Sequence, residues 1–543
     1  MLAQVSAGSR MSPKRSIVSA ASPGYGRVSP CLVLILAIAA TLSLAIGGCT
    51  RATENPAGFI QVDIETSPTS LDPRFATDAV SSRIDELVFD SLVRLDARGE
   101  FVGDLAERIE RPSPTEIMFH LRPGVRFSDG RPLTAHDVKY TYDSVLDPAS
   151  LSAKRAGLEE LKSITAPDNL TVVMTTRRPY APALEMAMLG IVPAGTPARA
   201  TRALESPPGT GPFRVTQFVR DEKVVLGRNP YRPAGPSEAA GIVFKIVPDF
   251  TVRALEMAEG TCDLAENNMQ PDLLGYLRAR PGLTILKSPG TTYRYIAINF
   301  RDPRLRDLRV RRAIAYAIDR EAIVKSLLRG TARVASGMLS PENWAYDGDV
   351  KTYPYDLAKA RELLEEAGYP AGPDGMRKLR FVYKTTPEGS ALAETLQAML
   401  RRVGIRLSVR TNEWATFYSD IQRGNFDLTS MEWVGINDPH QYYLVFDSKM
   451  TPPHGLNRGD YSNPEMDNLV EAGDAAIDTE QRRRIYAKVQ QLAAGDLPYI
   501  SLWWKDNVVV MKRGLDGFTP YPNGSLISLA TLKLDSHPEE PSQ

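Results

Sequence analysis

The chain has 543 residues, of which 43% are hydrophobic, with 65 basic and 65 acidic side chains. That length exceeds what one hydrophobic core supports, so two or three core units are expected, and the apolar content excludes a disordered chain. Balanced charge without a long run of one sign excludes the electrostatic footprint of a nucleic-acid binder, so partners must be recognised by shape.

The first predicted element is "CLVLILAIAATLSLAIGGC", Cys31 to Cys49, an uncharged apolar run preceded by Arg10, Lys14, Arg15 and Arg27 and by no acidic residue. A basic stretch followed by an apolar one predicts an export signal. Its end, "LAIGGC", resembles the lipobox of bacterial lipoproteins, in which small residues precede an acylated cysteine, so Cys49 is the expected mature first residue and lipid attachment point. An uncleaved N-terminal anchor is the alternative, and the start codon is Met1 or Met11. Either way the body is expected outside the cytoplasm, periplasmic or at the cell surface, on a membrane. Without residues 1–48 the chain carries an excess of four acidic groups, which argues against a polybasic mode of membrane binding. Only Cys262 then remains, so no disulfide framework is available and stability must come from packing.

Residues 49–58 are small and polar, as a tether should be. "FIQVDIE" alternates Phe59, Gln61, Asp63 and Glu65 against Ile60, Val62 and Ile64, which predicts a strand with one apolar face. "RIDELVFDSLVRLD" spaces Ile84, Leu87, Val88, Ser91 and Leu92 as a helix. A hairpin-like pair is expected around Pro123-Gly124, then a helix in "LTAHDVKYTYDSVLDP" with Thr134 as N-cap and Pro148 beyond its end. "LTVVMTT", "KVVLGRNP" and "GIVFKIVPD" have strand character, and the Pro- and Gly-rich "ESPPGTGPFRV" marks a boundary. "TVRALEMAEGTCD" predicts a helix stopped by Gly260. "LRVRRAIAYAIDREAIVKSLLRG" predicts one long amphipathic helix ending at Gly330, and "DLAKARELLEEAGYP" another with Asp356 as N-cap and Gly368 and Pro370 as the stop. Strands and helices mixed in this manner indicate α/β units.

Enzyme signatures are absent: there is no G-x-S-x-G, H-E-x-x-H, C-x-x-C or phosphate-loop motif. The five histidines, His120, His136, His440, His454 and His537, show no metal-ligand spacing, so no metal site and no cofactor is expected. Tryptophans are more informative. Trp414, Trp433, Trp503 and Trp504 all follow or lie within strand-like segments of the C-terminal half and have polar neighbours, which suits the wall of a wet ligand cleft as well as it suits a core.

Seven segments in order carry a resemblance: "SLDPRFATDAVSSRIDELVFDSLVRLD", "FHLRPGVRFSDGRPLTAHDVKYTYDSVLDP", "GTGPFRV", "RDEKVVLGRNPYR", "RVRRAIAYAIDREAI", "KARELLEEAGYP" and "RRRIYAKVQQLAAGDLPYISLW". Together they resemble the extracytoplasmic solute-binding proteins of peptide-type ABC importers, the group of oligopeptide-, dipeptide- and nickel-binding proteins (family 5), over about Phe59 to Leu534. The resemblance implies an α/β fold with two lobes of the periplasmic-binding-protein type (class II), a hinge and an extra inserted domain, closing around solute. Lobe I is expected at 59–95, 207–288 and 503–534, the insert at 96–206, lobe II at 289–502 and a polar tail at 535–543. The hinge crossings fall in "SPGTTYRYIAINF", which Pro289-Gly290 interrupts, and in "LPYISLWWKDN".

Positions that match the family's pocket are Thr77, Ala79, Asn267, Asn268, Tyr295, Trp414, Trp433 and Trp503. The Asp that holds a peptide ammonium three residues after the tryptophan is replaced by Ile436, leaving Asp438 as the nearest candidate anion, with a helix N-cap as its other reading. The resemblance implies a monomeric receptor with no chemical step, which binds a peptide or small solute and hands it to the permease subunits of an ABC importer. A non-peptide solute such as a nickel or other metal chelate is the alternative within the family. A secreted lipoprotein hydrolase using Asp438 and His440 is the alternative from another class.

Overall fold

The computed structural model describes residues 56–198, 206–232 and 239–534. Cys49, the apolar leader, the tether up to residue 55 and the tail from residue 535 lie outside the described residues. Among those described, no helix is long and apolar enough to cross a membrane.

One mixed sheet organises the chain. Its order is Arg406–Thr411, Arg380–Thr385, Leu428–Trp433, Leu283–Ile298, Tyr499–Lys512, Leu264–Glu266, Phe59–Ile64, Gly241–Ile246, Lys223–Arg228 and Phe213–Val219, with Ala332–Val334 added beside Tyr499–Lys512. The two central strands are long, 16 and 14 residues, and run antiparallel to each other. They hold both segments expected to be hinge crossings. Pairing skips from Ser288/Asn507 to Thr292/Lys505, so Pro289-Gly290 forms an irregularity inside a strand rather than a loop. Gly290 is required there, because a Cβ would stand 2.5 Å from the Lys505 carbonyl oxygen.

Side chains alternate across this sheet, and the cores follow. Near the Arg406 end, one core gathers Leu305, Ile314, Phe381, Leu396 and Trp503, and another gathers Tyr295, Phe417, Tyr442, Tyr486 and Trp504. Neighbouring tryptophans therefore enter different cores. Toward the other end, Ile60, Leu87, Phe244 and Leu529 form a third core, and Met257, Leu277 and Val510 a fourth. A fifth surrounds Phe119, Val138 and Met174, on a separate sheet ordered Ala106–Ser113, Glu116–Leu121, Thr171–Thr176, Leu161–Thr165. Each fully buried aliphatic or aromatic side chain contributes roughly 1.5–3 kcal/mol by leaving water.

Caps decide where helices stand. Ala135–Leu146 begins after Thr134, whose backbone N–H donates to Asp137 at 2.8 Å, completing a capping box. Phe250–Glu259 ends at Gly260 in the left-handed region, φ 75°, where the missing Cβ removes the penalty. Leu357–Glu366 starts at Asp356, which accepts from the Lys359 N–H at 2.9 Å.

Four expectations are corrected. The helix of residues 84–92 ends at Val88, and Val93–Leu95 is a strand paired with Phe101–Gly103. No hairpin forms around Pro123-Gly124: Glu116–Leu121 pairs with Ala106–Ser113 and Thr171–Thr176 instead, and beyond the turn only an isolated bridge joins Arg126 to Pro132. The single helix ending at Gly330 is two, Leu308–Ala317 and Arg320–Ser326, because Asp319 caps a new start by accepting from Ala322 N–H at 2.9 Å. Phe59–Ile64 has no solvent face. It lies parallel to Gly241–Ile246 inside the sheet, with Gln61 and Asp63 buried as well as Ile60 and Val62.

Candidate functional site

The strand pair that starts the site is Leu283–Ile298 against Leu428–Trp433, in a register that sets Tyr293 opposite Trp433 and Tyr295 opposite Met431. Alternation then puts Tyr293, Tyr295 and Trp433 on one face. Tyr295 stacks on Tyr499 at 3.9 Å, on Tyr293 at 5.6 Å and on Trp433 at 5.9 Å between ring centroids. The Arg458 guanidinium lies 5.1 Å from the Trp433 ring and 5.3 Å from the Tyr418 ring, and Trp414 stacks on Tyr418 at 5.7 Å. A ladder of rings bridged by one cation thus runs from Tyr295, 1% exposed, to Trp414, 57% exposed. Arg458 is buried, its Nε has no hydrogen-bond partner, and its other contacts are Tyr418 Oη and Met431 Sδ.

The opposite face of the same strands is ionic. Glu432 lies 3.3 Å from Arg294 and 2.8 Å from Lys505. Burial works against its charged form, yet Lys505 and Arg294 outweigh burial and hold the carboxyl down at about 2.

A second wall comes from Leu264–Glu266 and the residues after it. Asn267 takes φ 59°, a conformation asparagine tolerates, and pins itself to the long strand: its Oδ1 accepts from Val508 N–H and its Nδ2 donates to Asn507 Oδ1, both at 2.9 Å. Asn268 donates to the Asp63 carbonyl at 2.7 Å, and its own Oδ1 is left without a donor. Beside it Glu266 is buried with neither carboxylate oxygen hydrogen-bonded, and Asp63 uses one oxygen, on Gln61 at 3.1 Å. Burial raises Glu266 to about 7, with Arg83 pulling the other way, and burial raises Asp63 to about 6. Glu266, Asp63, Asn268 and Arg83 share a small recess under the helix Ala79–Val88. Thr77 and Ala79 are exposed at the start of that helix, which Asp78 caps by accepting from Ser81 N–H at 2.8 Å.

The two walls approach each other at Asn523-Gly524. A Cβ on Gly435, two residues after Trp433, would lie 3.6 Å from Asn523, and a Cβ on Gly524 would lie 3.3 Å from Asn267 Nδ2. The ladder and the Asn267 corner therefore flank one short segment.

The segment after Trp433 differs from expectation. Ile436 is buried and apolar. Asp438 is no free anion: Arg482 donates to both of its oxygens at 2.6 and 2.5 Å, and the His440 N–H donates to it at 2.8 Å as the helix Gln441–Phe446 begins. A buried carboxylate whose charge is already matched by a bidentate guanidinium gains little from a ligand ammonium, so its turn-capping reading prevails. His440 is engaged too. Its Nδ1 meets Asp474 at 2.7 Å and its Nε2 meets Tyr180 Oη at 3.3 Å. Burial disfavours its charged form, but Asp474 raises it above its usual value. Asp438 meets His440 only through the backbone N–H, so the two form no side-chain dyad, and the imidazole is oriented by Asp474 instead.

Of the positions singled out in the sequence, Trp433, Trp414 and Tyr295 are brought together in the ladder, and Asn267 and Asn268 form the second wall. Tyr295 and Trp503, at 1% and 3% exposure, pack inside cores, and Trp503 faces away from the ladder. Arg458, Glu266, Asp63 and Glu432 were missed. Glu266 and Glu432 stand directly before Asn267 and Trp433, and a charged residue adjoining a pocket position was the available signal.

The model of the bacterial extracellular solute-binding proteins, family 5, matches residues 100–451. The probable di/tripeptide-binding protein 5 of Pseudomonas aeruginosa is 30% identical, covering 92% of this chain and 96% of its own length. The oligopeptide-binding protein AppA of Bacillus subtilis, solved with a nonapeptide, superposes with a TM-score of 0.76 at 25% identity over 88% of this chain and 99% of its own. NikA from Brucella suis, solved with Fe(III)-EDTA, reaches a TM-score of 0.80 at 24% identity over 88% of this chain and 99% of its own. A two-lobed α/β chain that matches these proteins over most of its length belongs to the bacterial extracellular solute-binding proteins of family 5.

Proposed function

We propose that this protein is the substrate-binding component of an ABC importer, which captures peptide-like solutes outside the cytoplasmic membrane and presents them to permease subunits. The observation that carries this reading is the pair of long, mutually paired strands joining two sets of cores, in a chain similar over 92% of its length to a relative described as di/tripeptide-binding. Lobe I comprises 59–95, 207–288 and 503–534, the insert 96–206 and lobe II 289–502, with the lipid carried on Cys49. Solute lies between the ladder of Trp414 and Trp433 and the wall of Asn267 and Asn268, with Thr77 and Ala79 at the rim. Glu266, the unpaired acid beside that wall, replaces Asp438 as the partner of a ligand amine. The protein does no chemistry on its ligand: rings and amides give grip, and His440 and Asp438 are committed to structure.

Native mass spectrometry of the purified protein with a pool of di- and tripeptides, and separately with nickel-histidine, tests this reading. One intact peptide per chain and no cleavage product supports it. Binding of nickel-histidine with no peptide retained, or release of cleaved peptides, overturns it.

A further inference from the structure

Residues 334–338 and 351–354, with the helices Arg320–Ser326 and Thr479–Asp496, enclose a cavity of about 280 Å3. The central strands add Tyr293, Tyr499 and Ser501 to its lining, and the hydroxyls of Tyr293 and Ser501 meet at 2.7 Å. None of Trp414, Trp433, Asn267 and Asn268 borders it. It is therefore separate from the proposed solute site, with which it shares only the inner rings Tyr293 and Tyr499.

Arg320 is the buried charge of this cavity, at 9% exposure. It donates to the Ser501 carbonyl at 3.2 Å and to the Tyr353 carbonyl, which uses two of the five N–H groups that a guanidinium carries. Other buried arginines are better provided. Arg74 and Arg482 face the carboxylates of Asp72 and Asp438, and Arg311, hydrogen-bonded only to carbonyls, reaches those of Leu305, Arg306 and Asp496. The one carboxylate acting on Arg320 is that of Glu321, its exposed neighbour, and no ion pair joins them among the described residues. The lining carries two cations, Arg320 and Lys351, against Glu321 as its single acid. Burial and then the charge of nearby Arg312 lower the Lys351 pKa, so positive groups gather on this side without full compensation.

We infer that this cavity is a second binding site, for a small organic carboxylate whose oxygens accept from the open N–H groups of Arg320 and whose apolar body lies among Tyr353, Tyr442, Phe446 and Leu497. A carboxylate supplies the planar pair of acceptors that a guanidinium matches best. Only one hydroxyl hydrogen is needed between Tyr293 and Ser501, so the other is free for the same ligand. A small inorganic anion would leave the aromatic lining unused, an organic cation would meet Arg320, and a neutral guest would leave the buried charge unmatched. The volume falls just below the usual span for drug-sized ligands, so the guest is small.

Isothermal titration calorimetry with hydrocinnamate as probe, and with hydrocinnamyl alcohol as its neutral control, tests the inference on the full mature protein. The expected result is one hydrocinnamate per chain, unchanged in Trp433→Ala, weakened about tenfold or more in Arg320→Met, and not matched by the alcohol. Gly337→Phe fills the cavity and leaves the guanidinium in place: a Cβ on Gly337 meets nothing closer than Tyr442 Oη, at 3.8 Å. It is expected to abolish binding, and serves if Arg320→Met does not fold. Equal affinity in the wild type and Arg320→Met, survival of binding in Gly337→Phe, loss of it in Trp433→Ala, or no hydrocinnamate binding at all overturns the inference. So does equal or tighter binding of the alcohol.

Discussion

Asp438 and Glu266 are both carboxylates at 4% exposure, but Asp438 receives two guanidinium hydrogen bonds and a backbone one, whereas Glu266 receives none. Around Asp438 charged groups are paired with one another: Arg482 also donates to the Gly473 carbonyl at 3.0 Å, and Asp474 holds both His440 and Tyr486. Around Glu266 the open valences accumulate, on its own two oxygens, on Asn268 Oδ1 and on Asp63 Oδ2. Burial of a polar group without a partner is costly, so the proposed ligand wall is the region that keeps several such groups together, while the Asp438 region pairs its charges internally.

That contrast can be broken most directly at Asp438. Asp438→Asn leaves the Arg482 guanidinium buried without its counter-charge, and a loss of about 3–5 kcal/mol in urea unfolding is expected, with peptide affinity of the folded protein unchanged. A variant that unfolds normally but fails to bind peptide would return Asp438 to the ligand site.

Glu266 gives the opposite signature. Its carboxyl is raised from 4.5 to about 7, so between those pH values the folded state holds a proton that the unfolded state has lost, and stability from this group falls as pH rises through that window. At about 1.4 kcal/mol per pKa unit the loss approaches 3 kcal/mol. Glu266→Gln is therefore expected to gain on the wild type by up to about 3 kcal/mol between pH 4.5 and 8, while binding amine-bearing peptides at least tenfold more weakly. Parallel stability curves for the two proteins would remove Glu266 from the comparison.

Trp433→Ala is expected to cost the ligand-free protein about 1–3 kcal/mol through the lost stacking on Tyr295 and the lost contact with Arg458, and to eliminate the rise in Tm on adding peptide. Trp414→Ala is the smallest change: at 57% exposure its removal should alter ligand-free stability by less than about 0.5 kcal/mol, and only peptide titrations should register it. If Trp414→Ala also leaves peptide affinity intact, the outer end of the ladder is not part of the site.

The helices that carry their own punctuation were legible from the chain alone. Thr134, Asp356 and Gly260 each mark an end through a hydrogen bond or a backbone angle within a few residues. Asp319 obeys the same rule, but the helical apolar spacing that runs on both sides of it hid it. Partners far apart in sequence were not legible. Nothing near Asp438 announces Arg482, 44 residues later, and nothing in "FIQVDIE" shows that a parallel neighbour 182 residues on would bury Asp63 as deeply as Val62. Periodicity reports which residues share a face, and only the assembled sheet decides whether that face is wet.

The two central strands have a mechanical implication. Because both segments expected to be lobe crossings are rungs of one ladder, the proposed lobes are joined by a ribbon and not by slack loops, and closure between them would be stored as torsion of that ribbon. The skipped rungs between Ser288 and Thr292 are where torsion sacrifices the fewest hydrogen bonds, and Gly290 is where the two backbones come too close for any side chain. Widening that contact with alanine would alter the resting set of a spring without touching either wall of the cleft.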